Sequence, residues 1–512
     1  MDAFMQKYNP HVESVLEGFD RLVFRGSLRM LCFAEGLAAF LSSTGILLKE
    51  FGDRAQAMTA RLKEASLAEA GRLGRPVEYL PSAATRKEDV ARAIAERDGV
   101  TEGLVCVLTC VEPCRGADIH RDRAAKKLRP VLRQRKCLHL YHYWIDPVFG
   151  WMNARIQTWF PFSIQVCLNG REWLARRLNE DGVGYRKRDN AFVGLDNPRR
   201  AQTRMDELLR TDWSAALDVV AARLNPAHDE LFAARPQAYY WTAHQSEWAT
   251  DILFRSRASL ASIYPALTRG AIACFRSPDV MRFLGRKLHG RFAGEVVSDY
   301  KDRAEGVRVK HRGAGNSVKM YDKHGVILRA ETTINIAKEI KVYRPAEGDP
   351  GGEKSWRSMR KGIADLHRRA KVSGQCNRRY LDALSTLDTS MPLGELAGKV
   401  CEGTKWKGRS VRGLRPWTKA DRALLAAISD GAFELSGFRN RDIAAILHPN
   451  AKGDRRVSGR MTRQLRMLRA HGLIGKISRT HRYRLTAKGR RIVTALLRAQ
   501  EVSLKQLNKA AA

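Results

Sequence analysis

Acidic residues are scarce in this chain. Its 512 residues include 54 Asp and Glu against 91 Lys and Arg, a formal net charge of +37. An excess of this size points to a polyanionic partner, either a phosphate backbone or an anionic membrane. Long apolar runs are also missing: no stretch approaches the roughly 18 residues that a spanning helix needs. Asp20, Arg21, Arg25 and Arg29 lie within the first 30 residues and are foreign to a signal peptide. A membrane is therefore not the expected partner, and a cytoplasmic location is. The nine cysteines are scattered and odd in number, which suits a reduced protein better than a disulfide framework. Cys106, Cys110 and Cys114, spaced by four, read as buried thiols near a strand end. Neither GxxxxGK[ST] nor GxGxxG occurs, so an ATP-driven motor and a nucleotide cofactor are both unexpected.

What is present is long enough for several cores, and 44% of it is hydrophobic. The pattern reads as an α/β or α+β multidomain protein. We divide it into an N-terminal α/β segment over 1–135, an aromatic-rich segment over 136–265, a basic α+β segment with a hairpin over 266–385, a basic linker over 386–415 and a C-terminal domain over 416–512. In the first segment, HVESVLEGFDRLVFRGSLR predicts a helix and then a basic apolar strand or turn, residues 46–78 predict helix, and PVEYLP and GLVCVLTCV predict strands flanking a helix.

The last hundred residues are the most ordered in pattern. From Lys452 to Arg498 there are fifteen Lys or Arg and one acid, Asp454. WTKADRALLAAI, NRDIAAIL and SGRMTRQLRMLRAHGLI predict three helices, with Thr418 and Asn440 as caps and Met461, Leu465 and Leu468 facing a core. LIGKIS and HRYRLT predict two short strands joined by a basic turn, and Thr486 caps a closing helix. This order, with LRMLRAHGLIGKISRTHRYRLTAKGR, resembles the winged helix-turn-helix family over about 416–500. The resemblance implies that Arg460, Arg463, Arg466 and Arg469 on the third helix, and Arg479 and Arg482 in the wing, contact a nucleic acid. In the preceding linker, Lys405, Lys407, Arg409 and Arg412 can follow a phosphate backbone.

Further in, SVKMYDK, a turn at His324-Gly325 and VILRAETTI predict a hairpin that gathers Lys319, Tyr321, Arg329 and Glu331. Such a face can bind a phosphate and hold Mg2+ or Mn2+ through a carboxylate. The pattern S-x-K-x-Y-x-K followed by L-R-x-E resembles a strand pair of the rolling-circle replication initiators of phages and plasmids. That resemblance implies a mobile-element enzyme that nicks DNA with a tyrosine and a metal ion. The family's paired metal-binding histidines have no counterpart, because HLYH puts His139 and His142 on opposite faces of a strand.

Residues 137–173 and the stretch QAYYWTAHQSEWATDILF are dense in Tyr, Trp and Phe. Aromatics beside many cations suit base stacking, and they equally suit a domain core. Asp146 ends a predicted strand, where α/β active sites often place a carboxylate. GWMNARIQTWF predicts helix or loop. His244, Glu247 and Asp251, at i, i+3 and i+7, form one face of a predicted helix and a candidate metal set together with Glu331. WRSMRKGIADLHRRAKVSGQCNRRYLDAL predicts two basic helices. Two functions compete: a metal-dependent DNA-nicking or -cleaving enzyme targeted by the winged helix, and a non-catalytic DNA- or RNA-binding protein, including the protein part of a ribonucleoprotein.

Overall fold

The computed structural model describes residues 1–124, 126–275, 277–285, 296–301, 307–349, 351–385, 393–429, 433, 437–451, 454–477 and 480–499. It has a mixed α+β, multidomain architecture in two compact units. One comprises Tyr8–Ser262 and Ser298–Tyr380, the other Met1–Lys7, Ile263–Val297 and Leu381–Ala512.

The first unit is organised by an 11-stranded sheet. In chain order its strands are β1 (Val12–Leu28), β2 (Val77–Leu80), β3 (Gly103–Asp122), β4 (Lys127–Asp146), β5 (Gly150–Gln157) and β6 (Ile164–Asn169). A separate hairpin, β7 (Tyr185–Arg188) and β8 (Ala191–Leu195), follows. The sheet continues with β9 (Tyr239–Phe254), β10 (Val296–Lys301), β11 (Arg308–Gly313), β12 (Asn316–Lys323) and β13 (Ile327–Ile334). The spatial order is β10-β11-β12-β13-β9-β1-β6-β5-β4-β3-β2, so β1 and β9 lie at the centre.

Alternation along β4 separates two cores. Leu140 and Trp144 join the larger cluster with the helices Ala34–Ser43, Phe51–Arg72 and Gly170–Glu180, while Tyr141 and Tyr143 pack on the other face with Ala91 and Ile94 of helix Lys87–Arg97. The aromatics Tyr141, Tyr143, Trp144 and Trp151 are all buried and contribute to these cores.

Several local expectations are corrected. Residues 12–28 form one strand, not a helix followed by a strand or turn. GWMNARIQ is strand β5, and residues 239–254 are strand β9, not a helix. In all three segments apolar side chains are buried on both faces, and this obscures the two-residue period that would announce a strand. The segment from 355 holds a strand, Ser355–Ser358, and then one long helix, Leu366–Ser385, in place of two helices. The 135–136 boundary falls inside β4, and the 265–266 boundary inside helix Arg257–Cys274.

In the second unit, residues 416–499 run helix Lys419–Ile428, helix Asn440–Leu447, helix Arg455–Ala470, strand Ile474–Lys476, strand Tyr483–Leu485 and helix Ala487–Ala499. The two strands pair antiparallel. Met461, Leu465 and Leu468 are buried in a shared core with Leu424, Ile443 and Ile492. Thr418 and Thr486 cap their helices as expected, through Asp421 N and Gly489 N. Asn440 is instead the first helical residue, and its amide ties that helix to Thr462 Oγ1 at 2.8 Å. The expected linker is ordered over its described part, where helix Leu393–Cys401 precedes a small hairpin, Thr404–Trp406 and Arg409–Val411. Lys407 and Gly408 both take positive φ in its two-residue turn, which suits the right-handed strand twist. Residues 386–392 lie outside the described part.

Candidate metal centre

Three neighbouring strands bring three carboxylates together. Strand β9 is flanked by β1 and β13, with Arg21 opposite Glu247 on one side and Thr333 opposite Glu247 on the other. Pairing between β1 and β9 slips between Phe19 and Arg21, so Asp20 is the extra residue of a bulge. A bulge bends its strand and re-aims a side chain. Here it turns Asp20 towards Glu247 on β9 and Glu331 on β13, and one oxygen of each lies within 4.8 Å of the others. Asp20 and Glu331 are buried and Glu247 is half-buried.

Basic groups surround this cluster. Lys319, on β12 directly opposite Glu331 of β13, reaches its Oε1 at 2.6 Å, and Tyr321 Oη donates to Oε2 at 2.8 Å. Arg329 is fully buried and sits 3.2 Å from Asp20 Oδ1. It also pairs with Asp251, which Arg171 holds from the other side at 2.9 Å. Asn190, from the turn between β7 and β8, donates to Asp20 Oδ2 at 2.7 Å.

The electrostatics follow from burial and crowding. Burial, reinforced by the Glu331 charge, pushes Glu247 up to about 7. Burial also raises Asp20, with Arg329 opposing it. Burial acts on Glu331 too, but Lys319 and Arg329 outweigh it and hold Glu331 below the usual carboxyl range. Asp251 is lowered in the same way, by Arg329 and Arg171 against burial. Burial raises Tyr321 well above an ordinary phenol. Buried Asp20 Oδ1 and Glu331 Oε1 accept no well-directed hydrogen bond despite the cations beside them. A divalent ion would suit these lone pairs, because hard cations take carboxylate oxygens. The cluster faces a cleft of about 680 Å³ whose wall includes Arg21, Arg86, Arg92, Lys187 and Lys323.

Four of the sequence-derived residues, Lys319, Tyr321, Arg329 and Glu331, meet here as the hairpin predicted, and Glu247 joins them. Asp251 lies on the same strand face as Glu247 but is engaged by two arginines. Residues 239–254 form strand β9, and His244 is exposed at the slip in pairing between Val23 and Phe24, so the proposed helical set of His244, Glu247 and Asp251 is not formed. Asp146 is elsewhere: its Oδ1 accepts from Val148 N and Phe149 N in a turn, and Oδ2 meets Arg223 at 3.0 Å. His142 is buried against Ser66, while His139 lies near Cys137, and burial lowers both to about 4. Asp20 escaped the sequence reading. Its only local signal is an acid inside the apolar strand GFDRLVF.

Among the basic residues of the second unit, Arg460 and Arg463 are exposed on helix Arg455–Ala470, and Arg466 and Arg469 are half-buried. Arg469 lies over the rings of Trp406 and Tyr483, each at 5.7 Å. Lys407, Arg409, Arg466 and Arg469 line one cavity of about 490 Å³. Lys405 belongs to the same hairpin as Lys407 and Arg409. Arg412 instead forks onto Asp421 with two contacts of 2.7 Å, and Arg482 donates to Gly437 O at 3.1 Å. Arg479 lies outside the described residues. No helix among them is long and apolar enough to cross a membrane. Compared with known proteins, the chain matches no family model, no curated protein and no solved structure.

Proposed function

We infer that this chain is a metal-dependent enzyme that cuts phosphodiester bonds in nucleic acid, DNA first, of the kind mobile elements use to nick or cleave. The observation that carries this reading is the convergence of Asp20, Glu247 and Glu331 from three adjacent strands within 4.8 Å. A Mg2+ or Mn2+ ion held there would polarise a phosphoryl oxygen and lower the pKa of a bound water. Asp20, Glu247 and Glu331 would hold it, and Lys319 would keep a positive charge beside an entering phosphate. Hydrolysis fits better than tyrosine transfer, because Tyr321 is only 7% exposed and its hydroxyl is committed to Glu331. Water attacks phosphorus, the bond to the leaving oxygen breaks, and that oxygen takes up a proton.

Targeting is assigned to residues 416–500 as a winged helix. Support comes from their helix-helix-helix-strand-strand-helix order and from exposed Arg460 and Arg463 on the third helix. The net charge of +37 favours a polyanionic substrate.

One observation favours the binding-protein reading. Lys319 and Arg329 already supply counter-charges to Glu331 and Asp20, as they would in a purely structural ionic core. Cleavage of end-labelled single- and double-stranded DNA and RNA, with Mg2+, Mn2+ or EDTA, separates the two. The enzyme reading expects metal-dependent products that Glu331→Gln and Asp20→Asn reduce at least about 1,000-fold while binding persists. Binding without cleavage of any substrate, and without Mn2+ uptake, would leave the binding protein.

A further inference from the structure

Strands β3 and β4 run on beyond the sheet that holds them. The outer edge of β3 is covered by β2 only from Val107 to Cys110, and that of β4 by β5 only from His139 to Asp146. Past those points, β3 and β4 pair with each other as far as Asp122 and Lys127, making a two-stranded ribbon.

This ribbon is strongly basic. Between 115 and 136 it carries Arg115, Arg121, Arg123, Lys126, Lys127, Arg129, Arg133, Arg135 and Lys136 against Asp118 and Asp122. One face is anchored: Ala117 belongs to the large core, and Ile119 and Leu132 pack against it. On the opposite face β4 carries Lys127, Arg129, Arg133 and Arg135, with Val131 between the two pairs. Adjacent same-face positions on a strand are about 6.8 Å apart, twice the roughly 3.4 Å between charges along one DNA strand. Arg135 is spent on Trp159, and Arg133 on Asp118. Arg129 lies 3.9 Å from Asp122, whereas Arg121, Arg123, Lys126 and Lys127 at the tip are all exposed.

Resting on the nucleic-acid reading above, we propose that the exposed tip cations Arg121, Arg123, Lys126 and Lys127 form a second docking surface whose partner is duplex DNA. A two-stranded ribbon fits the B-form major groove, about 12 Å wide, whereas the A-form groove is too deep and narrow to admit it. The tip cations then meet the phosphates on either side of the groove. The ribbon grips duplex beside the cut and adds affinity without choosing sequence.

The test uses the full chain carrying Arg121→Ala, Arg123→Ala, Lys126→Ala and Lys127→Ala together, and a control exchanging each Arg for Lys and each Lys for Arg. Affinity for a DNA duplex of arbitrary sequence is measured by anisotropy over roughly 50–200 mM salt. Removing four cations from the phosphates flattens the slope of log K against log salt by about 3.6 and weakens low-salt binding at least about tenfold. The exchange control keeps both, and Mn2+ binding at the carboxylates is unchanged in either protein. An unchanged slope in the alanine variant, with wild-type binding intact, overturns the ribbon assignment alone. An equal loss on duplex RNA overturns the choice of DNA. Failure of the wild-type protein to bind any nucleic acid removes the underlying reading and this surface with it.

Discussion

Tyr321 donates its phenolic proton to Glu331 Oε2 across 2.8 Å, from a strand position directly opposite Arg329. The tyrosine therefore orients a carboxylate whose other oxygen belongs to Lys319. Tyr321→Phe removes that orientation and little else. Cleavage should fall by no more than about 100-fold, and no protein–DNA adduct should form in the wild type under denaturing electrophoresis. A wild-type adduct that disappears in the phenylalanine variant would make the tyrosine a nucleophile and sink the hydrolytic route.

Metal uptake should titrate with Glu247. Its raised value, about 7 against an ordinary 4.5, means the metal-free folded protein binds a proton there that the unfolded chain has released. The resulting stability is complete below 4.5 and is lost as pH rises through about 7. A divalent ion must displace the same proton, so Mn2+ affinity should rise about tenfold per pH unit up to neutrality and then level off. Calorimetric titration between pH 5.5 and 8.5 checks this; affinity that is flat with pH would show that Glu247 is no ligand. Glu247→Gln should level the profile and stabilise the metal-free protein above neutral pH.

Arg329 is the counterweight of two buried acids, Asp20 and Asp251. Arg329→Met would strip Asp20 of its ion-pair partner and leave Asp251 to Arg171 alone, at a cost of about 3–5 kcal/mol. Urea unfolding measures the loss, and adding Asp251→Asn should restore part of it. A change below about 1 kcal/mol would mean that the charges are hydrated and that this interior is wetter than its burial suggests.

Arg460→Ala with Arg463→Ala leaves the buried stripe of Met461, Leu465 and Leu468 intact. Binding to a preferred DNA sequence should weaken by about 1–3 kcal/mol for each arginine that reads a base edge, with unchanged thermal stability. Equal binding by variant and wild type would take the third helix out of the interface.

The hairpin was legible because its signals are local. Val318 and Met320 alternate with Lys319 and Tyr321, and His324-Gly325 supplies two positive-φ residues where the chain reverses. The closing helices and strands were legible for the same reason. Strand β9 was not: from Trp248 to Phe254 it is buried on both faces, and Glu247 and Asp251 fall by accident at helical spacing. Asp20 was hidden because its partners on β9 and β13 are distant in sequence and only the sheet order makes them neighbours. The ordered hairpin at Lys407-Gly408 was hidden by its brevity, three residues in each strand.

The bulge at Asp20 gives β1 a sensitivity that residue identity alone does not convey. Register against β9 slips at three places along β1, and the side-chain period of two holds only between slips. Losing one residue near Phe19 would absorb the bulge, restore regular pairing and rotate the acid to the opposite side of the sheet, while every amino acid of the site remained in the chain. Substitutions around Asp20 are thus graded in effect, whereas a one-codon insertion or deletion there acts as a switch. Length variation among descendants of this chain should accordingly collect outside the span from Val12 to Leu28.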